Sequence, residues 1–203
     1  MNRHLLHPAA KPLLIAVVVG PFVWLLYGAL ANRLGTNPAE ALIRSTGDWT
    51  LRLLCLTLAV TPLREATGWS ALARFRRILG VATFGYAVLH ALAYAWLDMG
   101  FVVGDIVRDI AKRPFILVGT TAMLLMLPLA ATSFDAAIKA LGASRWRALH
   151  RAVYAIAGLG LLHLFWMRAG KNDFAEVGVY AAVVAALLGW RLVRWRRRAA
   201  VRA

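Results

Sequence analysis

Apolar residues in this chain gather into separate blocks, and polar or basic residues lie between the blocks. Each block has about 20 residues, the length at which a helix crosses the hydrocarbon core of a bilayer. The pattern predicts six spans, at residues 12–30, 47–63, 78–97, 114–133, 149–167 and 176–193. Arg52 interrupts the first turn of the second span. No connection is long enough to separate domains, so we expect a single membrane domain over residues 1–203.

Composition agrees with this pattern and excludes two classes of protein. Hydrophobic residues make up 61% of the chain and charged residues 16%, whereas a soluble domain has about 25% charged residues. An ordinary soluble globule and a disordered chain are therefore excluded. The net charge of +15 would suggest nucleic acid in a soluble protein. Here the basic residues flank apolar blocks, where they set topology and meet anionic lipid headgroups, so we expect no nucleic-acid partner.

The orientation of the spans follows from the Lys and Arg residues in the short loops. With the N-terminus in the cytoplasm, that side holds 15 of them and the opposite side holds 7. Because basic loops stay in the cytoplasm, we predict an all-α integral membrane protein, a six-transmembrane-helix bundle with both termini cytoplasmic. The seven on the opposite side are Arg33, Arg44, Arg108, Lys112, Arg113, Arg168 and Lys171.

Ionisable side chains inside the predicted spans are candidates for function, because burying them in lipid is costly. No Asp or Glu falls in the middle of a span, which argues against a proton-coupled transporter. His90 lies in the third span, and His150 and His163 lie in the fifth. A single such histidine often bonds only to a neighbouring helix. Three of them on two helices, without acidic partners, favour a metal or a haem.

Helix geometry places two of these histidines at similar depth. At a rise of ~1.5 Å per residue, His90 lies about 18 Å along the third span and His163 about 21 Å along the fifth. The two spans run parallel in the predicted topology, so the two rings could bind one haem from opposite faces. Two axial histidines leave no open position on the iron, which suits electron transfer. The single Cys55 is not part of a C-x-x-C-H motif, so covalent haem attachment is excluded.

His150 suggests a second haem nearer the cytoplasm, about 20 Å from His163 along the same helix. Its spacing of 13 residues from His163 turns the two rings some 140° apart, so this site needs a local irregularity in the helix. Arg76 lies on the face of the third span that carries His90. Arg76 is either a partner for a haem propionate or a plain basic residue of the cytoplasmic side.

Three blocks of sequence resemble the haem-binding membrane subunits of the protein-methionine-sulfoxide reductase system (the MsrQ family), within the ferric-reductase-like transmembrane superfamily. The resemblance covers about residues 46–167 and also includes Ser45-Thr46-Gly47 and Thr61-Pro62-Leu63. The first block is Arg76-Arg77-Ile78-Leu79-Gly80 with Tyr86-Ala87-Val88-Leu89-His90 and Tyr94. The second is Lys112-Arg113-Pro114-Phe115, Gly119, Leu127-Pro128-Leu129-Ala130 and Thr132-Ser133. The third is Leu141-Gly142, Trp146, Leu149-His150, Val153-Tyr154 and Leu162-His163.

This resemblance implies a haem b protein of the bacterial inner membrane that also binds FMN. It implies electron transfer from the quinone pool to a periplasmic molybdenum-cofactor reductase, which repairs methionine sulfoxide in envelope proteins. His90, His150 and His163 match the histidines of the family and inherit the assignment as haem ligands. The chain ends in a basic tail without the G-x-G-x-x-G motif of a nicotinamide domain. We therefore expect a relay subunit, not the catalytic subunit, with a quinol or a separate flavoprotein as donor.

Two other functions stay open on the sequence. One is a self-contained quinol or metal reductase of the cytochrome b type. The other is a transporter or assembly factor whose histidines only bridge helices or bind a transported metal. For the relay subunit, residues 98–113 and 168–175 are expected to dock the partner.

Overall fold

The computed structural model describes residues 3–170 and 172–200, and every regular element in that part of the chain is helical. Lys171 and Arg202, which belong to the two sides of the charge count, lie outside the described residues. The helices are α1 (Arg3–Leu6), α2 (Ala10–Leu30), α3 (Pro38–Thr67), α4 (Arg76–Ala93), α5 (Val103–Lys112), α6 (Pro114–Ala131), α7 (Asp135–His150), α8 (Ala152–Ala169) and α9 (Ala175–Ala200). A 3₁₀ segment (Ser70–Phe75) precedes α4, and a π-helical turn (Tyr94–Asp98) continues it.

Five stretches of the described residues are long and apolar enough to cross a membrane, which supports a multi-pass membrane protein. They are Ala10–Leu30, Ser70–Asp98, Pro114–Ala131, Asp135–Ala169 and Ala175–Ala200. The sequence predicts six spans, and the one without a counterpart is 47–63, which lies inside α3. This helix has 30 residues, but Arg44, Asp48 and Arg52 lower the hydropathy of its first half.

The helix α3 contributes more buried residues than any other described helix. Asn37 caps its start by accepting a hydrogen bond from the backbone N–H of Glu40, and Pro38 occupies the first turn. Gly68 ends it in the left-handed conformation, with φ of 72°. Between these ends, α3 packs against α2, α4, α8 and α9. Its buried side chains are Thr46, Leu51, Leu53, Leu54, Cys55, Thr57, Leu58 and Val60.

The segment before the fifth predicted span is a helix, although its sequence reads as a polar connection. This helix, α7, is kinked at Gly142, where φ is 73° and ψ is 153°. Arg151 then separates α7 from α8. His150 therefore ends α7 and His163 lies in α8, so the two are not on one regular helix. Arg151 itself keeps right-handed helical angles, with φ of −69° and ψ of −19°.

Two helix pairs make the most extensive contacts in the bundle, α3 with α4 and α6 with α8. Contacts between α4 and α6 and between α3 and α8 join the two pairs. The apolar core at this junction includes Leu54 of α3, Met126 of α6, and Ile156 and Leu164 of α8. This arrangement brings the helix of His90 and the helix of His163 to the centre of the bundle.

Candidate functional site

His90 is held by helix α3. Its Nδ1 lies 2.8 Å from the backbone carbonyl oxygen of Ile43. A carbonyl oxygen can only accept, so Nδ1 carries the proton, and in the neutral ring Nε2 keeps its lone pair. The ring also lies against Gly47, where a Cβ atom would come within 3.1 Å of both Nδ1 and Cε1.

His163 is held in the same way by helix α6. Its Nδ1 lies 2.7 Å from the carbonyl oxygen of Phe115. A Cβ atom at Gly119 would come within 2.8 Å of that Nδ1 and 2.9 Å of Cε1, distances that real Cβ contacts do not show. The ring therefore occupies space that any residue larger than glycine would take.

The two contacts share one pattern. In each, a helix offers the carbonyl oxygen of one residue and a glycine four positions later, as Ile43 with Gly47 and Phe115 with Gly119. Residues four apart lie one above the other on a helix face. The missing side chain at the glycine lets the imidazole reach the carbonyl one turn below. Both histidines are thereby fixed in orientation, with Nε2 as the nitrogen left for a ligand.

The two rings lie close together near the middle of the bundle. Their centroids are 6.1 Å apart, and the ring planes differ by 79°. A point midway between them is about 3 Å from each centroid, which accommodates a metal–imidazole bond of about 2 Å plus the distance from a ring nitrogen to the ring centre. No described protein group makes a hydrogen bond to either Nε2. The pair therefore has the spacing and the free nitrogens of two axial ligands.

The donor set fits a haem better than a bare metal ion. No group of three or more His, Cys, Asp or Glu residues that could hold a metal ion occurs in residues 3–170 and 172–200. Bare zinc and similar ions take three or four protein ligands, whereas a haem iron needs only its two axial positions filled by the protein. The backbone carbonyl on each Nδ1 is also the usual orienting partner of a metal-bound histidine.

Both histidines line a cavity of about 300 Å³, here called the His90–His163 cavity. Most of its lining residues are apolar, and four are charged. Tyr94 donates a hydrogen bond to Asp109 over 2.7 Å, and Arg113 pairs with the same carboxylate over 2.9 Å. This contact ties α5 to the rim, at the π-helical turn that follows His90; such turns are frequent at functional sites. The charged lining residues are Arg44, Asp48, Asp98 and Arg113.

His150 and Arg76 line a second cavity, of about 240 Å³, here called the Arg76–His150 cavity. Thr132 uses its hydroxyl proton on the carbonyl oxygen of Pro128 over 2.7 Å. The same hydroxyl lies 3.1 Å from Nε2 of His150. The ring of Trp146 stacks on the His150 ring at 4.1 Å. His150 is thus presented in a different way from His90 and His163.

The structure therefore separates the four residues selected from the sequence into two sites. It brings His90 and His163 together, and it brings Arg76 and His150 to the other cavity. The sequence analysis missed the functional role of Gly47 and Gly119 and of the two backbone carbonyls. Both glycines occur within the blocks that carry the family resemblance, but only the three-dimensional contact with a histidine ring gives them a role.

A further charged cluster lies at the end of α8. Arg168 has a side chain only 6% exposed, and it pairs with Glu176 of α9. Asp173 lies 3.9 Å from the same guanidinium. The Arg168 residue follows Met167, which lines the His90–His163 cavity. This ion pair fastens the connection between α8 and α9 to the end of the helix that carries His163.

Comparison with known proteins gives a consistent result. Residues 46–161, more than half of the chain, match the family described as "Ferric reductase like transmembrane component". The chain is 67% identical over 191 residues to the "Protein-methionine-sulfoxide reductase heme-binding subunit MsrQ" of Polaromonas naphthalenivorans, covering 94% of this chain and 87% of that protein. The subunit of the same name in Ralstonia nicotianae is 52% identical over 191 residues, covering 93% of this chain and 87% of that protein.

A third relative carries another name. The chain is 43% identical over 192 residues to "Magnetosome protein MamZ" of Magnetospirillum gryphiswaldense, which covers 92% of this chain but only 29% of that protein. No solved structure matches the chain.

Proposed function

The chain belongs to the family of heme-binding subunits (MsrQ) of protein-methionine-sulfoxide reductases, and on that premise we propose that it holds one haem b between His90 and His163 and passes electrons to the reductase. The observation that carries this proposal is the pair of imidazoles 6.1 Å apart, each with Nδ1 bonded to a backbone carbonyl. Bound haem supplies one-electron transfer by cycling its iron between the ferric and ferrous states.

The residues of the chain keep such a site suited to electron transfer. The carbonyls of Ile43 and Phe115 hold the two rings in one orientation, which lowers the reorganisation that a change of iron charge requires. His90 and His163 would fill both axial positions, so oxygen would find no open position on the iron. Apolar side chains in the cavity wall, among them Leu51, Leu54, Ala87, Ala122 and Met126, keep water from its middle.

The direction of electron flow comes from the family resemblance. We propose a quinol or a separate flavoprotein as the donor, and a periplasmic molybdenum-cofactor reductase that repairs methionine sulfoxide as the acceptor. The names of the relatives support a methionine-sulfoxide reductase as the partner and haem as the cofactor. FMN binding and a second haem at His150 stay predictions from the resemblance and the sequence.

We also propose that α3 is a sixth span, so that both termini lie on the same side of the bacterial inner membrane. The excess of Lys and Arg on that side makes it the cytoplasmic one. A helix of 30 residues is about 45 Å long, longer than the hydrocarbon core of a bilayer. In its charged first half, Arg44 and Asp48 line the His90–His163 cavity, whereas Arg52 is exposed. Reporter fusions at both ends of the chain test this topology: one end exported would refute it.

Two connections at the far end of the bundle are the proposed docking surface for the reductase. They are residues 98–113, which include the amphipathic α5, and residues 168–175, of which 171 lies outside the described residues. Asp105 and Arg108 of α5 are exposed and pair with each other over 2.8 Å. Exchanging their charges should slow transfer to the partner without changing the haem spectrum.

Transfer from the reduced haem tests the proposed function. The purified chain is reduced anaerobically with dithionite, freed of excess reductant, and mixed with the purified partner reductase and a methionine sulfoxide peptide. We expect reoxidation of the haem only when both are present, and no ferrous haem to begin with in His90→Ala. Reoxidation by ferric citrate alone would instead favour a self-contained metal reductase. A colourless protein would favour a transporter.

A further inference from the structure

The helix α5 connects two membrane-spanning stretches. Ser70–Asp98 precedes it and Pro114–Ala131 follows it, and each is long and apolar enough to cross a bilayer. With 10 residues, α5 is about 15 Å long, only half the thickness of a hydrocarbon core of about 30 Å. It therefore cannot cross the membrane itself and must lie at the surface where one span ends and the next begins.

The partly buried residues of α5 mark the side that faces the bundle. They are Ile106, Asp109 and Ile110, and their spacing of three or four residues puts them on one face of the helix. This helix packs against α6. Asp109 is held at the bundle because it accepts a hydrogen bond from Tyr94 and pairs with Arg113. One side of α5 is thus fixed to protein.

The exposed residues of α5 separate into an apolar side and a polar side. Val103 and Val107 lie one turn apart and are 71% and 61% exposed. Asp105, Arg108 and Lys112 are also exposed, and at about 100° per residue they point roughly opposite to the two valines. A helix at a membrane surface beside a bundle needs these three sides, one for protein, one for lipid and one for water.

The apolar side continues an exposed apolar surface on the preceding span. Leu92 and Trp96 near the end of that span are exposed, and so are Phe101 and Val102 at the start of α5. Tryptophan is common at the level of lipid headgroups. Phe101 has a φ of 58°, a conformation that a bulky residue rarely adopts and glycine adopts freely. Burial of its exposed ring in lipid would offset this backbone strain.

We propose that α5 is an interfacial helix, with Val103 and Val107 in lipid and its polar side towards water. The apolar side of such a helix lies about 5–10 Å deep, at the boundary of headgroups and acyl chains. Arg108 and Lys112 then reach the phosphate groups of the lipid with their charged ends, which are complementary in charge.

This placement restricts the surface that a protein partner can reach. A reductase that approaches from water would contact the polar side of α5, which carries Asp105 and Arg108, and would not contact the two valines. That consequence rests on the proposed function. The lipid contact itself requires only that the stretches on both sides of α5 cross the membrane.

The test measures the contact of single positions with lipid and with water. Val107→Cys and its matched control one residue further, Arg108→Cys, are each labelled with a nitrobenzoxadiazole dye. The only native cysteine, Cys55, is buried, and the unsubstituted chain measures any labelling there. The haem-loaded, labelled protein is reconstituted in vesicles of phosphatidylethanolamine and phosphatidylglycerol, with doxyl-labelled lipid or dissolved iodide as the quencher.

We expect the dye at Val107→Cys to emit at shorter wavelength and to be quenched by the doxyl lipid but little by iodide. The dye at Arg108→Cys should be quenched mainly by iodide. If either variant does not fold, Val103→Cys and Lys112→Cys repeat the comparison, because these two positions lie on opposite sides of the same helix.

Two results would overturn the inference. One is equal quenching of the two dyes by either quencher, which would mean that α5 has no separate lipid and water sides. The other is protection of Val107→Cys from iodide only after the purified reductase is added, which would make the apolar side a protein interface. Failure of the proposed function looks different, because the quenching pattern would then be as expected in a protein without a b-type haem spectrum.

Discussion

Replacing Gly119 with alanine should damage the haem site through a contact that can be measured in the structure. The new Cβ would lie 2.8 Å from Nδ1 of His163, while ordinary contact begins at 3.4 Å. The ring must therefore retreat by about 0.6 Å. If it moves straight away from helix α6, its hydrogen bond to Phe115 lengthens from 2.7 Å towards 3.3 Å, beyond the usual range for N–H···O bonds.

The expected consequences are weaker haem binding and a higher midpoint potential of the haem. Loss of an orienting partner of a metal-bound histidine typically lowers metal affinity by about 10–100-fold. The carbonyl bond also makes the imidazole a stronger electron donor, which stabilises the ferric state. Weakening that bond should therefore raise the midpoint potential of the haem. Haem content per chain, the low-spin electron paramagnetic resonance signal and a redox titration measure these three effects.

Two further glycines provide matched controls. Gly158 lies in the same helix as His163, and a Cβ there would meet nothing within 4 Å, so Gly158→Ala should keep the wild-type haem. Gly47→Ala should lose less haem than Gly119→Ala. Its Cβ would lie 3.1 Å from Nδ1 of His90, so the ring would need to move by only about 0.3 Å. Wild-type haem content and potential in Gly119→Ala, or equal damage in Gly158→Ala, would refute the reasoning.

Three more substitutions test the packing of the bundle. Arg168→Met leaves the part-exposed carboxylate of Glu176 without its buried partner and should lower the free energy of unfolding of the detergent-solubilised protein by about 1.5–3 kcal/mol. The double variant with Glu176→Gln should recover much of this loss, and no recovery would count against a direct pair. Gly142→Ala has room for the new Cβ, but the backbone at this position, with φ of 73° and ψ of 153°, does not suit alanine. We expect the free energy of unfolding to fall by about 1–3 kcal/mol in the same melting assay, and an unchanged melting curve would show that α7 is not kinked as described. Tyr94→Phe removes the hydrogen bond to Asp109 and should lower the free energy of unfolding by about 1 kcal/mol. The haem spectrum should stay intact, and loss of haem would contradict a purely structural role for Tyr94.

Much of the bundle could be predicted from the sequence, because lipid imposes a simple pattern. Five stretches have the length and hydropathy of membrane spans, and each contains or overlaps a block read from the apolar pattern. The rise of a helix also gives similar depths for His90 and His163, whose rings lie 6.1 Å apart. These features depend on one helix at a time, so spacing along the chain is enough to find them.

Other features depend on contacts between helices, and the sequence carries only weak signals for them. The helix α7 was missed because its polar composition resembles a connection, and its kink at Gly142 has no periodic pattern. The start of α3 at Pro38 was missed because Arg44, Asp48 and Arg52 lower the hydropathy of its first half. Two of these three residues, Arg44 and Asp48, line a cavity. The role of Gly119 follows only from the position of a ring 44 residues further along the chain. A glycine in a membrane helix is otherwise a common packing residue.

The reduced-minus-oxidised optical spectrum of the purified protein, recorded with His90→Ala and His163→Ala alongside, tests the central claim most directly. We expect a low-spin b-type spectrum in the wild type that is lost in each single variant, because both axial ligands are needed. A wild-type protein that stays colourless after expression with ample haem, or a spectrum that survives in either variant, would contradict the assignment of His90 and His163 as the ligands.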